Sequence, residues 1–200
     1  VKAVVNELAD QGLRILEVRK EQLHEIPAVL DELGFNPLKF ILFIDDLSFT
    51  ANDDNFAALK AIADAQGAAV LPVAAKFEED IAEMDAEEAA MFMEDLGLTE
   101  TGLARLINTS YDLLGYISFL TAGEDDVHAW TIVRGTKAPR AAGKIHSDIE
   151  RGFIRAEVIA FEDLKACGTM AAAKDKGLFR LEGKDYVMQD GDITNFRFNV

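Results

Sequence analysis

A parallel α/β unit followed by an α+β unit is the fold class this sequence predicts. Three observations predict it. Short apolar runs alternate with helical patterns through the first part of the chain. One of those runs, FILFI at 40–44, is continuously apolar, as in a parallel strand buried on both faces. Near Gly115 the pattern changes to short β-rich runs punctuated by glycines.

In chain order, residues 3–11 read as a helix and RILEV at 14–18 as a strand. Leu23, Ile26, Leu30 and Leu33 recur at helical spacing, FILFI follows, and Phe56, Leu59, Ile62 and Ala63 repeat that spacing. AAVLPVA at 68–74 reads as a third buried strand, which completes a strand–helix alternation and implies a parallel sheet. Phe77, Ile81 and Met84 mark a further helix. Asp85 and Glu88 stand at capping-box spacing and open the next, with Gly97 at its end. Leu103, Leu106, Ile107 and Leu114 mark the last helix of this part. Beyond it come YISFL, VHAWTIV, FIRAEVIAF, DYVM and TNFRFNV, with short helices near Pro139 and Phe161. The expected domains are 1–115 and 116–200.

Half of the 200 residues are hydrophobic, and a chain of this length buries roughly 70% of its unfolded surface. No apolar run approaches the ~20 residues that span a bilayer, and no signal peptide opens the sequence. The lone cysteine, Cys167, excludes an intrachain disulfide and suits a reducing cytosol. A cytoplasmic protein without membrane contact is expected. The net charge of −16 is unevenly spread: residues 1–117 carry 8 Lys/Arg and 23 Asp/Glu, and residues 118–200 carry 12 and 13. The first part should repel nucleic acid, so any RNA contact belongs on the second.

Arg134, Lys137, Arg140, Lys144, Arg151 and Arg155 fall within 22 residues whose only acids are Asp148 and Glu150. Trp130, His146 and Phe153 lie nearby. Cations interleaved with aromatics are the footprint of nucleic-acid binding, and equally of a solvated face over core rings. Asp45 and Asp46 end an apolar strand. That is the Walker B arrangement, where a carboxylate holds Mg²⁺ beside phosphates; acids that simply close a strand give the same pattern. No GxxxxGK[ST] phosphate loop occurs in the sequence. Gly177 with Gly183-Lys184 comes closest, but Asp185 stands where Ser or Thr is needed. His24, His128 and His146 show no metal-ligand spacing, and Cys167 has no catalytic partner, so all four read as structural.

The segment AWTIVRGTKAPRAAGKIHSDIERGFIRAEVIAFEDL, continuing to EGKDYVMQDGDITNFRFNV, resembles the TGS domain that closes the Obg-like P-loop ATPases, the YchF family. Upstream, AAVLPVAAKFEEDIAEMDAEEAAMFMEDLGLTETGLARLINTSYDLLGYISFLTAG resembles the end of that family's G domain, so the resemblance covers about residues 61–200. It implies a β-grasp fold for the tail, an incomplete P-loop NTPase-like unit before it, ATP or GTP with Mg²⁺ as cofactor, and the ribosome or RNA as partner. Ala74, Ala75 and Lys76 match the family's last nucleotide-contacting loop. The family's base-reading Asn-x-x-Glu would fall at about Asp46 to Phe49 and is absent. The first sixty residues, VKAVVNELADQGLRILEVRKEQLHEIPAVLDELGF and KFILFIDDLSF, instead resemble the middle of an uncharacterised AAA-type P-loop ATPase family, in a segment that begins just after its phosphate loop. The join falls near 58–63. A natural fusion, an engineered chimera and an assembled sequence all fit it. Two functions follow: a ribosome- or RNA-associated module of an Obg-like protein without catalysis of its own, or an AAA-type ATPase fragment whose phosphate loop lies outside the chain.

Overall fold

The computed structural model describes residues 9–44, 54–123 and 126–199. The chain divides into two compact units, Val1–Leu114 and Gly115–Val200.

In the first unit, β1 (Leu13–Val18) and β2 (Lys39–Ile44) pair in parallel, from Leu13 beside Lys39 to Val18 beside Ile44. Parallel neighbours need a crossover. A 3-10 turn at Lys20–Glu25 and α1 (Ile26–Leu33) supply it. Pro27 sits in the first turn of α1, where its missing N–H costs nothing. Four more helices follow: α2 (Asp54–Ala65), α3 (Ala75–Glu83), α4 (Ala86–Asp95) and α5 (Gly102–Leu114). The capping box read from Asp85 and Glu88 forms. Asp85 accepts from the backbone N–H groups of Glu87 and Glu88, and Glu88 accepts from that of Asp85. Gly97 closes α4 at φ 66°, a conformation that favours glycine.

Two expectations for this unit fail. AAVLPVA forms no strand: residues 68–74 have no regular structure and are mostly exposed. Pro72 lies in its middle and has no N–H for a ladder. FILFI is a strand, but from Phe40 to Ile44 it is only half-buried. Among the described residues its sheet has two strands, and α3 and α4 bury no residue. The helix expected over 3–11 appears only as a 3-10 turn at Ala9–Gln11; residues 3–8 lie outside the described residues.

The second unit is a five-stranded mixed sheet with two helical layers. Its strands are β3 (Tyr116–Ala122), β4 (Val127–Val133), β5 (Phe153–Ala160), β6 (Arg180–Glu182) and β7 (Asp192–Phe198), in the order β4-β3-β7-β5-β6. β3 and β7 run parallel and the other neighbours antiparallel. Alternation decides the faces. Ile117, Phe119, Ile132, Ala156, Val158 and Phe196 meet Ala138, Ala141 and Ala142 of α6 (Ala138–Ile145). Three alanines on one helix face let α6 lie close to the sheet. Ile159 and Ile193 point the other way. They pack with Leu164 and Cys167 of α8 (Phe161–Cys167) and Ala173 of α9 (Met170–Asp175), so Cys167 is a packing residue. A short α7 (Ser147–Arg151) joins α6 to β5. DYVM is a single bridge between Val187 and Lys137, not a strand. Its Tyr186 carbonyl accepts from the Ala138 N–H, and its Tyr186 hydroxyl donates to the buried Asp192 at 2.8 Å.

Candidate anion-binding faces of the second unit

The six clustered cations do not share one face. Lys137 precedes α6 and Arg140 and Lys144 lie on it, while Arg151 ends α7. Arg155 is on β5, next to the inward-facing Ala156. Strand alternation therefore sends Arg155 to the sheet face opposite α6. Arg134 follows β4 in a turn, where its backbone N–H donates to the Gly115 carbonyl at 2.7 Å.

Among the described residues, at least three of the six are already matched by carboxylates. Lys137 Nζ lies 2.7 Å from Asp185 Oδ1, and this bond holds the Asp185 carboxyl below its usual range. Arg140 Nη1 donates to Glu150 Oε1 at 3.1 Å, and Arg151 Nη2 to Asp148 Oδ1 at 2.7 Å. Glu150 reaches Arg140 by lying across Gly143, where any Cβ would overlap its carboxylate. Lys144 is exposed and forms no ion pair among the described residues. With Arg140 and Glu150 it rims a shallow pocket of about 330 Å³ over Ile132 and Val133.

On the opposite face, Arg155 stands directly across from Arg197 of β7. Arg197 Nη2 donates to Glu157 Oε2 at 2.8 Å. Arg197 lies forty-two positions beyond Arg155, and only strand pairing brings the two together. The alternation in TNFRFNV was the available signal for its outward side chain.

The aromatic candidates are largely committed to packing. Phe153 is 4% exposed and belongs to the core. Trp130 stacks on Phe119 at 6.5 Å, and its indole N–H donates to Thr121 Oγ1 at 3.0 Å. Exposed His128 lies 4.2 Å from the Trp130 ring. His146 caps α7, accepting the Asp148 N–H at its Nδ1, so its role is structural.

In the first unit, Ala74 and Ala75 open α3 with no side-chain cap. The Lys76 ammonium is held by Asp80 at 3.0 Å and Glu79 at 3.2 Å, which raises its pKa. One helix N-terminus and one occupied amine do not make a phosphate cradle, so these three residues alone do not fit a nucleotide. Asp45 and Asp46 lie outside the described residues, directly after β2. The near-match at Gly183-Lys184 sits in the turn after β6, with Asp185 committed to Lys137.

Residues 116–199 match the YchF-GTPase C-terminal family model, described as a protein of unknown function (DUF933). The fission yeast structure "Structure of the Schizosaccharomyces pombe YchF GTPase" superposes with a TM-score of 0.65 at 31% identity, over 85% of this chain and 46% of that one. The C-terminal part is similar to that of the YchF/Obg-like ATPases. "Ribosome-binding ATPase YchF" of Bacillus subtilis is 46% identical over 194 residues, 96% of this chain and 53% of its own length. "Obg-like ATPase 1" of Gallus gallus is 47% identical over 134 residues, 67% of this chain and 34% of its own. The chain thus spans about half the length of its bacterial relative. Residues 1–70 match a second family model, described as a protein of unknown function (DUF815). The alignment with the Bacillus subtilis protein nonetheless runs into the first sixty residues, since it covers 96% of this chain. No helix among the described residues is long and apolar enough to cross a membrane.

Proposed function

We propose that this chain is a cytoplasmic ribosome- or RNA-associated module of YchF/Obg-like type, and that residues 1–200 do not hydrolyse nucleotide. The observation that carries the reading is the second unit, which matches the YchF C-terminal family over residues 116–199. Relatives named ribosome-binding align over nearly the whole chain. The charge distribution supports a contact through this unit, because an acidic first part would repel phosphates. Arg134, Lys137, Arg140, Lys144, Arg151 and Arg155 are the cations proposed for it; those paired with carboxylates can exchange a carboxylate for a phosphate. In a complete nucleotide domain, Ala74, Ala75 and Lys76 would lie beside bound ATP or GTP. The phosphate cradle itself has no counterpart in the sequence.

The test is co-sedimentation of the chain with ribosomes across a salt series. Pelleting that falls steeply as salt rises is expected, because phosphate contacts release counterions. Failure to pellet at low salt would reject the reading.

A second reading rests on the match of residues 1–70 to a different family and on the Asp45-Asp46 pair after a parallel strand. It is an AAA-type ATPase fragment in which the pair holds Mg²⁺ and the phosphate loop lies outside the chain. Binding of a fluorescent ATP analogue by this chain, lost in Asp45→Asn or Asp46→Asn, favours it.

A further inference from the structure

Arg155 and Arg197 occupy opposed positions of an antiparallel pair. Side chains so placed share a face, with Cβ atoms about 5 Å apart, and like charges there destabilise the sheet. One carboxylate serves the pair: Glu157, two positions along β5 and diagonal to Arg197, accepts from Arg197 at 2.8 Å. Arg155 is exposed and forms no ion pair among the described residues. The ladder is irregular between Phe153 and Arg155, and such bulges re-aim the side chain that follows. The fold therefore places two arginines opposite each other on one sheet face with one acid to offset them. On α6 and α7, by contrast, Lys137, Arg140 and Arg151 each have a carboxylate of their own.

We propose that Arg155 and Arg197 form a phosphate-binding site on the sheet face opposite α6. A tetrahedral anion bridging two guanidinium forks receives charge-assisted, bidentate hydrogen bonds, and it cancels the repulsion that the register imposes. Glu157 is the competing acid, which the phosphate displaces from Arg197. A phosphate group is common to an RNA backbone and to free inorganic phosphate. The RNA occupant rests on the ribosome or RNA reading above, whereas the site rests on the strand register.

The experiment uses the full chain and the variants Arg155→Gln, Arg197→Gln and Glu157→Gln, with Lys39→Gln, an exposed cation of the first unit, as a control. The probes are fluorescein-labelled oligouridine, read by anisotropy, and inorganic phosphate, read by thermal shift. Each arginine variant is expected to weaken oligouridine binding roughly tenfold and to lower the log–log salt slope by about one. Glu157→Gln should tighten binding, and the Lys39→Gln control should change it less than either arginine variant. In phosphate-free, low-salt buffer Arg155→Gln should melt no lower than the parent, because the repulsion is gone. A phosphate-dependent rise in melting temperature that the parent shows and Arg155→Gln lacks identifies free phosphate as an occupant. Oligouridine binding without that rise identifies the RNA backbone. Unchanged affinity and slope in both arginine variants, or a lower melting temperature of Arg155→Gln in phosphate-free buffer, would overturn the proposal. Loss of ribosome pelleting by the parent chain refutes the ribosome reading while leaving these measurements interpretable.

Discussion

Removing one hydroxyl, that of Tyr186, tests how the second unit holds its buried carboxylate. Asp192 is 1% exposed. Its Oδ2 accepts from the Tyr186 hydroxyl and from the Gln189 N–H, both at 2.8 Å, and its Oδ1 lies 3.4 Å from Arg180 Nη2. Tyr186→Phe deletes a hydrogen bond to a charged group, which is worth about 1.5–3 kcal/mol. Burial, and then the bond to Asp192, pushes the phenol up from 10 to about 12. A rise of that size corresponds to about 2.7 kcal/mol, of which desolvation is the larger cause and the bond to Asp192 the smaller. The ring is partly exposed, and solvent screening brings this nearer to about 1.5 kcal/mol. The folded state favours the protonated phenol, so this stability is complete below pH 10 and is lost as pH rises through about 12. Tyr186→Phe should therefore cost about 1.5 kcal/mol at neutral pH, or roughly 6–12 °C in Tm for a unit of this size. The gap between parent and variant should close between pH 10 and about 12. Urea titration followed by Trp130 fluorescence reads this unit specifically, because Trp130 is the chain's one tryptophan and packs on Phe119. A neutral-pH change no larger than about 0.5 kcal/mol, the range of an ordinary surface substitution, would refute the reasoning. So would a gap that stays constant through the alkaline window.

At Gly152 an added Cβ would run into the backbone of Asn199, which cannot swing aside as a side chain can. Gly152→Ala should cost about 1–3 kcal/mol by overpacking, seen in the same fluorescence titration. In the first unit, Asp85→Ala removes the N-cap of α4 and should cost about 1 kcal/mol, read as earlier loss of helical circular dichroism in urea; Asp85→Asn should retain most of it. The purified chain should turn over neither ATP nor GTP above the blank, because phosphoryl transfer depends on a positioned phosphate cradle. Turnover that disappears in Asp45→Asn or Asp46→Asn would reveal a site that the sequence pattern conceals.

Secondary structure was most legible where alternation or capping chemistry carried it. VHAWTIV became β4 over Val127–Val133, and FIRAEVIAF became β5 with its turn into α8. The Asp85 box marked the start of α4 because its hydrogen bonds are local. AAVLPVA misled because an apolar run records hydrophobicity without recording whether a neighbouring strand exists, and Pro72 weighed against one. DYVM misled for a different reason. Its backbone bonds end with one bridge, the Ala138 N–H donating to the Tyr186 carbonyl and the Met188 N–H to the Thr136 carbonyl, and the length of a ladder is something periodicity does not record.

The basic cluster shows the same limit in charge. Counting along the chain gives six cations against two acids between 134 and 155, which looks like an excess waiting for phosphates. Folding brings in Asp185, thirty positions beyond that window, to pair with Lys137, while the two local acids pair with Arg140 and Arg151. It also delivers Arg197 to a place directly across from Arg155. The linear excess is thus largely cancelled where it was counted and reappears on the other side of the sheet. Coulomb energy falls off with distance in space, so strand register, and not linear density, decides which cations remain for an anion.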